Sequence, residues 1–336
     1  MEILIDDPLL IERWKEFAEG NPHSSPFQTP QFLELCNSVP GFRAKAIAVG
    51  NGCNLHALAV AVIQKEAGIR GYFSRRAVIY GGPLIDPAHP EALGNLLSEI
   101  SVALHREVIY VESRNYSDYK DFEEIFSSNG WRFIPYLNLT IDLRDKSLED
   151  IYKDMHYNRR RQIRSSLETG ASYRECESES ELTAIYDILV DLYSDRVKVP
   201  LPDFLFFKAL WQRAPGKVFV VLHEEKVIGG SFCVIQPGRN IYTMYYCGLR
   251  NYNRKIYPTH LAVLATLEYG LGTGLKMLDF MGGGIKNREY GVRKYKQEFG
   301  GIINEYGRNI KIFNRFLYNL GRAAIWLGRF SIKNSG

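Results

Sequence analysis

The sequence predicts an α/β protein built from two tandem copies of one domain, each a mixed sheet flanked by helices, with an amphipathic helix at the C-terminal end. Three observations predict it. The chain has 336 residues, 46% of them hydrophobic, enough for about two cores at roughly 100–200 residues each. Apolar spacing switches between the helical and the strand period along the chain. The order of elements also repeats at about half the chain length, a period far longer than that of solenoid repeats.

Taken in order, apolar spacing and Gly/Pro punctuation predict helices over 8–18, 30–37, 90–106 and 117–128, and strands over 43–49, 55–64, 77–81, 107–112 and 131–143. A second set follows: helices over 147–169, 179–197 and 202–213, strands over 218–223, 227–236, 241–248 and 276–280, and a helix over 258–272. In the first half AVAVIQ (59–64) is followed by VIYGG (78–82), a proline-containing loop, a helix and VIYVE (108–112). In the second, GSFCVIQ (230–236) is followed by MYYCG (244–248), a loop ending at Pro258, a helix and KMLDF (276–280). A strand hairpin, a strand, a crossover helix and another strand suit a sandwich of the acetyltransferase (GNAT) type, whose two central strands splay to admit a substrate carbonyl. The expected divisions are 1–145, 146–308 and a basic C-terminal helix over 309–336.

Charge and cysteine content narrow the partners. With 42 Lys+Arg against 38 Asp+Glu the net charge is only +4, which argues against a generally polybasic binder. Residues 281–336 nevertheless hold 11 basic and 3 acidic side chains, so an anionic partner is expected to meet the C-terminal part. The five cysteines are scattered, odd in number and never spaced C-x-x-C, as in a reducing compartment, and the histidines form no H-x-x-x-H pair. No metal is expected. The N-terminus lacks the pattern of a signal peptide, and the longest largely apolar run, 55–63, is too short to span a bilayer. A cytoplasmic location follows as an expectation.

Several residues stand out for chemistry. Arg160 and Arg164, four apart on the helix predicted over 147–169, share a face and can clasp a phosphate or carboxylate, or simply pair with Glu168 or Asp154 in solvent. A second basic run, 286–296, includes Arg293 and Lys296 and follows the glycines Gly282, Gly283 and Gly284, which free the backbone for a tight turn but make no P-loop. Asp279, on an otherwise apolar strand, is a cleft residue or a cap for that turn. Tyr245 and Tyr246 end the strand expected to border the splayed gap, where a phenol binds substrate, transfers a proton or merely packs. Neither 81–87 nor 248–258 carries the Gly-rich loop that holds the coenzyme A pyrophosphate, which disfavours acyl-CoA as donor. Over the C-terminal helix, Lys311, Arg315, Arg322 and Arg329 fall on one face and Phe313, Phe316, Leu317, Leu320, Ala324 and Leu327 on the other. Such a helix packs back on the body, or residues 310–330 adsorb to the inner face of an anionic membrane.

Four segments together resemble the Fem family of peptidoglycan-bridge aminoacyltransferases (FemA, FemB, FemX): SPFQTPQF (25–32); LTIDL (139–143) leading into YNRRRQIR (157–164) and ETG (168–170); LDFMG (278–282); and YKQEFG (295–300). The resemblance implies two tandem GNAT-like domains and amide formation on an amine acceptor, the stem peptide of a UDP-linked or lipid-linked muropeptide. It implies aminoacyl-tRNA as donor and no cofactor, with Lys296, in its aromatic-Lys-x-x-Phe-Gly context, as oxyanion stabiliser. Arg160, Arg164, Tyr245, Tyr246, Asp279 and Arg293 would bind substrate. The chain departs from FemA and FemB in having no room between 169 and 217 for a long helical arm. Two alternatives remain open, a CoA-dependent N-acyltransferase acting on an amino sugar or amino acid, and a non-catalytic binder of anionic glycan or RNA.

Overall fold

A computed structural model describes residues 2–5, 10–51, 54–65, 70–197 and 200–323 and divides the chain into two units, Met1–Pro135 with Tyr306–Gly336, and Tyr136–Glu305. Up to Pro135 the elements are β1 (Glu2–Ile5), α1 (Leu10–Gly20), α2 (Pro30–Asn37), β2 (Phe42–Asn51), β3 (Asn54–Gln64), α3 (Arg70–Ser74), β4 (Arg76–Gly81), β5 (Leu84–Ile85), α4 (Ala92–Leu104), β6 (Tyr110–Asn115), α5 (Glu123–Ser128) and β7 (Arg132–Ile134). The second unit holds β8 (Tyr136–Asp142), α6 (Leu148–Asp154), α7 (Tyr157–Glu168), β9 (Ser172–Glu175), α8 (Glu179–Leu192), α9 (Phe204–Gln212), β10 (Gly216–His223), β11 (Lys226–Gln236), β12 (Asn240–Gly248), α10 (Pro258–Gly272), β13 (Met277–Ile285), α11 (Gly291–Gln297) and β14 (Ile302–Asn304). The chain then returns to the first unit as β15 (Arg308–Ile312) and a helix, α12, over 315–323. Each unit has its own sheet flanked by helices, the tandem α/β sandwich that the repeated order predicts.

The first sheet runs β1-β2-β3-β4-β6-β15-β7, with β5 on β3. Its strands read as near-continuous apolar runs because helices cover them, and α4 buries Ala92, Leu93, Leu96, Leu97, Ile100 and Leu104 in a core shared with Ile47, Ala59 and Ile79. The segment 25–32 is a plug in this unit. Gln28 is fully buried, accepts from the Ser25 backbone N–H at 2.7 Å and donates to the Gly82 carbonyl at 2.6 Å.

The second sheet runs β14-β8-β13-β12-β11-β10-β9, and its parallel pair behaves differently from that of the first. β4 and β6 stay paired over six positions, Arg76↔Tyr110 to Gly81↔Asn115. β12 and β13 pair over three only, Asn240↔Met277 to Tyr242↔Asp279, and then part. Beyond that point β13 keeps to β8, with register breaks between Asp279 and Gly282 and between Gly282 and Ile285. Met281, at φ 59°, takes the left-handed conformation that turns the strand away.

Five sequence expectations change. The single strand over 131–143 is two strands in two sheets, because Pro135 cannot donate to a ladder and the chain changes sheet there. The division therefore falls at 135/136 rather than 145/146. The long helix over 147–169 breaks into α6 and α7, where the His156 N–H donates to the Glu298 carbonyl at 2.9 Å and His156 Nδ1 caps the next helix. The helix over 179–197 closes at Leu192 into a π turn, Tyr193–Val197. The expected C-terminal helix begins as β15, so Lys311 lies on a strand; its side chain donates to the Asn129 carbonyl at 2.8 Å. In α12, Leu317 is buried and Phe316 is 75% exposed, while Ala324, Leu327 and Arg329 lie outside the described residues. Among the described residues no helix is long and apolar enough to cross a membrane.

Candidate active site

A gap opens between β12 and β13 beyond the pair Tyr242↔Asp279, and buried polar side chains border it. Its floor is Asp279, fully buried. Asp279 Oδ1 accepts from the Met281 N–H at 2.5 Å, the capping role, while Oδ2 has no hydrogen-bond partner among the described residues. Burial pushes the carboxyl up to about 7, against the opposing pull of the Met281 amide and the Lys296 charge.

Lys296 comes from α11 and is 5% exposed. Its ammonium donates to the carbonyls of Phe280 and Gly282, both at 2.7 Å, and lies 5.9 Å from the Phe280 ring centroid. The bulge around Met281 is what turns these carbonyls toward α11. An ammonium has three N–H bonds, and two of them are held by the strand. Burial pulls the lysine down to about 8, and Asp279 works against that shift. This lysine is interior rather than a solvated surface charge.

Tyr245 and Tyr246 separate, as neighbours on a strand must. Tyr245 packs on Phe207 at 5.1 Å and Tyr193 at 6.0 Å. Tyr246 stacks on Tyr295 at 5.9 Å and meets the Phe280 ring at 6.5 Å, and burial raises its phenol well above the usual range. It is a hydrogen-bond donor at neutral pH, not a base. Arg293 donates from Nε to the Gly283 carbonyl at 2.8 Å and from Nη2 to the Ile285 carbonyl at 2.6 Å, which makes it a clamp on the end of β13.

Arg160 and Arg164 do share a face. With Tyr152, Lys153, Tyr157, Arg161 and the carboxylates of Glu149 and Glu168 they line a cavity of about 470 Å³, where Arg160 Nη1 also holds the carbonyls of Tyr152 and Lys153 at 3.1 and 3.3 Å. The opposite face of α7 carries residues that sequence reasoning missed. Arg159 is buried, pairs with Glu298, bonds to His260, and lies over the rings of Tyr295 and Phe299 at 4.7 and 5.2 Å. Burial, then Arg159, pulls His260 down to about 3, so its ring is neutral and sits 3.2 Å from the Tyr295 hydroxyl and 3.1 Å from Gln162 Oε1. This cluster fixes α11 on both sides of Lys296. Arg159 was hidden among four arginines whose spacing alone does not say which turns inward.

At the start of α10, where a GNAT pyrophosphate site would lie, several backbone amides are already engaged. Pro258 has no N–H, the Tyr257 N–H donates to Ser166 Oγ at 2.9 Å, and the amides of His260 and Leu261 return to the Tyr257 carbonyl.

The pair Asp279/Lys296 gives a pH prediction. If the protonated lysine does the work, turnover falls as pH rises through about 8. Asp279→Asn removes the charge that supports the ammonium, so the falling limb moves to lower pH, and activity lost at neutral pH returns in part on acidification. A pH–rate profile with an unmoved limb would contradict this assignment.

Residues 153–297 match the family described as acetyltransferase (GNAT) domain, a stretch that contains the gap, both tyrosines and Lys296. No curated protein sequence matches the chain. Among solved structures, FemX aligns with a TM-score of 0.71 at 16% identity over 95% of this chain and 99% of its own. L-PGS from Bacillus licheniformis aligns at 0.57, 14% identity, 96% and 97% coverage. A tandem GNAT protein from the clavulanic acid biosynthesis pathway aligns at 0.54, 11% identity, 93% and 99% coverage. The chain thus has the Fem-like tandem GNAT fold, and the family match falls within its second unit.

Proposed function

We propose that the protein forms an amide by moving an aminoacyl group from an activated ester to the amine of a peptidoglycan-precursor stem peptide, within the gap between β12 and β13. The observation that carries this reading is the buried Lys296, tied by two N–H groups to β13; in the proposed mechanism its third N–H donates to the oxyanion. A neutral amine attacks the ester carbonyl, the new C–N bond forms, and the C–O bond breaks as the amine proton passes to the leaving alcohol. A preorganised cation in a site shielded from water stabilises the intermediate more than it would in solvent. Tyr246 and the neighbouring rings exclude water, and alignment supplies much of the remaining rate. The occupied turn at α10 favours aminoacyl-tRNA over acyl-CoA as donor.

The arginine cavity on the outer face of α7 suits the diphosphate of a UDP-linked or lipid-linked muropeptide. Arg164→Gln is expected to raise KM for such an acceptor roughly tenfold at low salt, less at high salt, with kcat little changed. The function itself is tested by incubating the protein with charged tRNA and UDP-muropeptide and weighing the product. The expected result is the muropeptide plus one aminoacyl residue. Transfer from acetyl-CoA alone, with thermal stabilisation by coenzyme A and not by UDP-muropeptide, would overturn it.

A further inference from the structure

In the first unit, three ligand-type side chains converge. His56, Asp86 and His89 each place one donor atom within 4.8 Å of the other two. Local structure brings them together. β5 pairs with β3 through Ala57↔Ile85 and Leu58↔Leu84, the Asp86 N–H donates to the His56 carbonyl at 2.8 Å, and the His89 N–H donates to the Asp86 carbonyl at 2.9 Å, closing a turn. Asp86 Oδ1 accepts from the Ala88 N–H at 3.0 Å, which leaves Oδ2 against His56 Nδ1 at 3.2 Å.

The second observation concerns the imidazoles. His56 is 3% exposed, and its Nε2 is buried with no hydrogen-bond partner among the described residues. His89 Nδ1 lies 3.2 Å from Glu91 Oε1, and the two rings are 3.9 Å apart, centroid to centroid. His56 Nδ1 and Asp86 Oδ2 already face each other, so a cation shared by them replaces that contact and takes His56 in the tautomer protonated on Nε2, while the Glu91 carboxylate against His89 Nδ1 leaves Nε2 of that ring as a lone-pair donor.

We propose that His56, His89 and Asp86 form a binding site for a divalent transition cation of the zinc class, which ties the start of β3 to the turn leading into α4. Two imidazoles and one carboxylate leave a fourth position for water. Nitrogen ligands select zinc, nickel or copper over magnesium, which takes oxygen. The site was illegible in sequence because its members are 30 and 3 residues apart and share no helix face.

The test is a calorimetric titration of tag-free full-length protein with Zn²⁺, with Mg²⁺ as control, beside melting curves. One equivalent of Zn²⁺ is expected to bind and raise the melting temperature. His89→Ala and Asp86→Asn, both at positions with surface exposure, should each weaken binding at least tenfold and remove the thermal shift. His105→Ala, an exposed histidine outside the group, should leave both unchanged. No saturable Zn²⁺ binding, an equal response to Mg²⁺, or an unaltered isotherm in His89→Ala would overturn the assignment.

Discussion

Lys296→Met is expected to lower kcat for aminoacyl transfer by about 10²–10³ while leaving KM for donor and acceptor nearly unchanged. The split follows from where the charge acts. The ammonium is buried against the carbonyls of Phe280 and Gly282, and in the proposed mechanism it meets the substrate carbonyl only when that becomes an oxyanion. Methionine keeps most of the volume and the contacts to Phe280. The variant also leaves Asp279 without its cation, so that carboxyl rises further and is protonated at neutral pH. Burying it neutral spares the fold the cost of an unpaired charge. Steady-state kinetics beside a melting curve checks this, and a folded Lys296→Met enzyme with normal kcat would remove the lysine from the mechanism.

Glu112→Gln is expected to cost about 3–5 kcal/mol of stability, although it lies in the first unit and touches no substrate. Glu112 on β6 accepts from Arg308 Nη1 at 2.6 Å and from Arg114 Nη2 at 3.3 Å. Burial would raise its carboxyl, but the two guanidiniums outweigh burial and hold it at about 2. Because the folded value lies below the unfolded one, its contribution is present above about 4.5 and is lost as pH falls from there through about 2. Urea unfolding at several pH values should show a lower midpoint for the variant at neutral pH and a flatter acid limb. Equal midpoints would mean that the returning strand β15 is held by its ladder alone.

The fold was legible where period and punctuation were strong. The matched orders of 59–112 and 230–280 lie on sheets of the same design, and α2, α4 and α10 fall close to their expected bounds. What stayed hidden are long-range choices. The change of sheet at Pro135 and the return of 308–312 to the first unit depend on partners more than a hundred residues away, and no local pattern encodes them. For the site, the short strand 277–280 and its glycines located the gap, and the spacing of Arg160 and Arg164 located a charged cavity. The inward turn of Arg159 toward His260 and Glu298 was invisible, since a partner 101 or 139 residues distant leaves no mark on a helix's own periodicity. Arg293 shows the reverse. A basic residue beside a glycine turn reads as ligand-binding, yet here it is consumed by the carbonyls of that same turn.

Hydrogen exchange of the intact protein, with and without saturating UDP-muropeptide, tests most directly whether the second unit's gap is where substrate is held. Slowed exchange is expected in peptides covering 243–248 and 277–299, with 157–165 as the flanking anion site. Saturable binding that protects only the first unit, and leaves those segments exchanging as before, would contradict it.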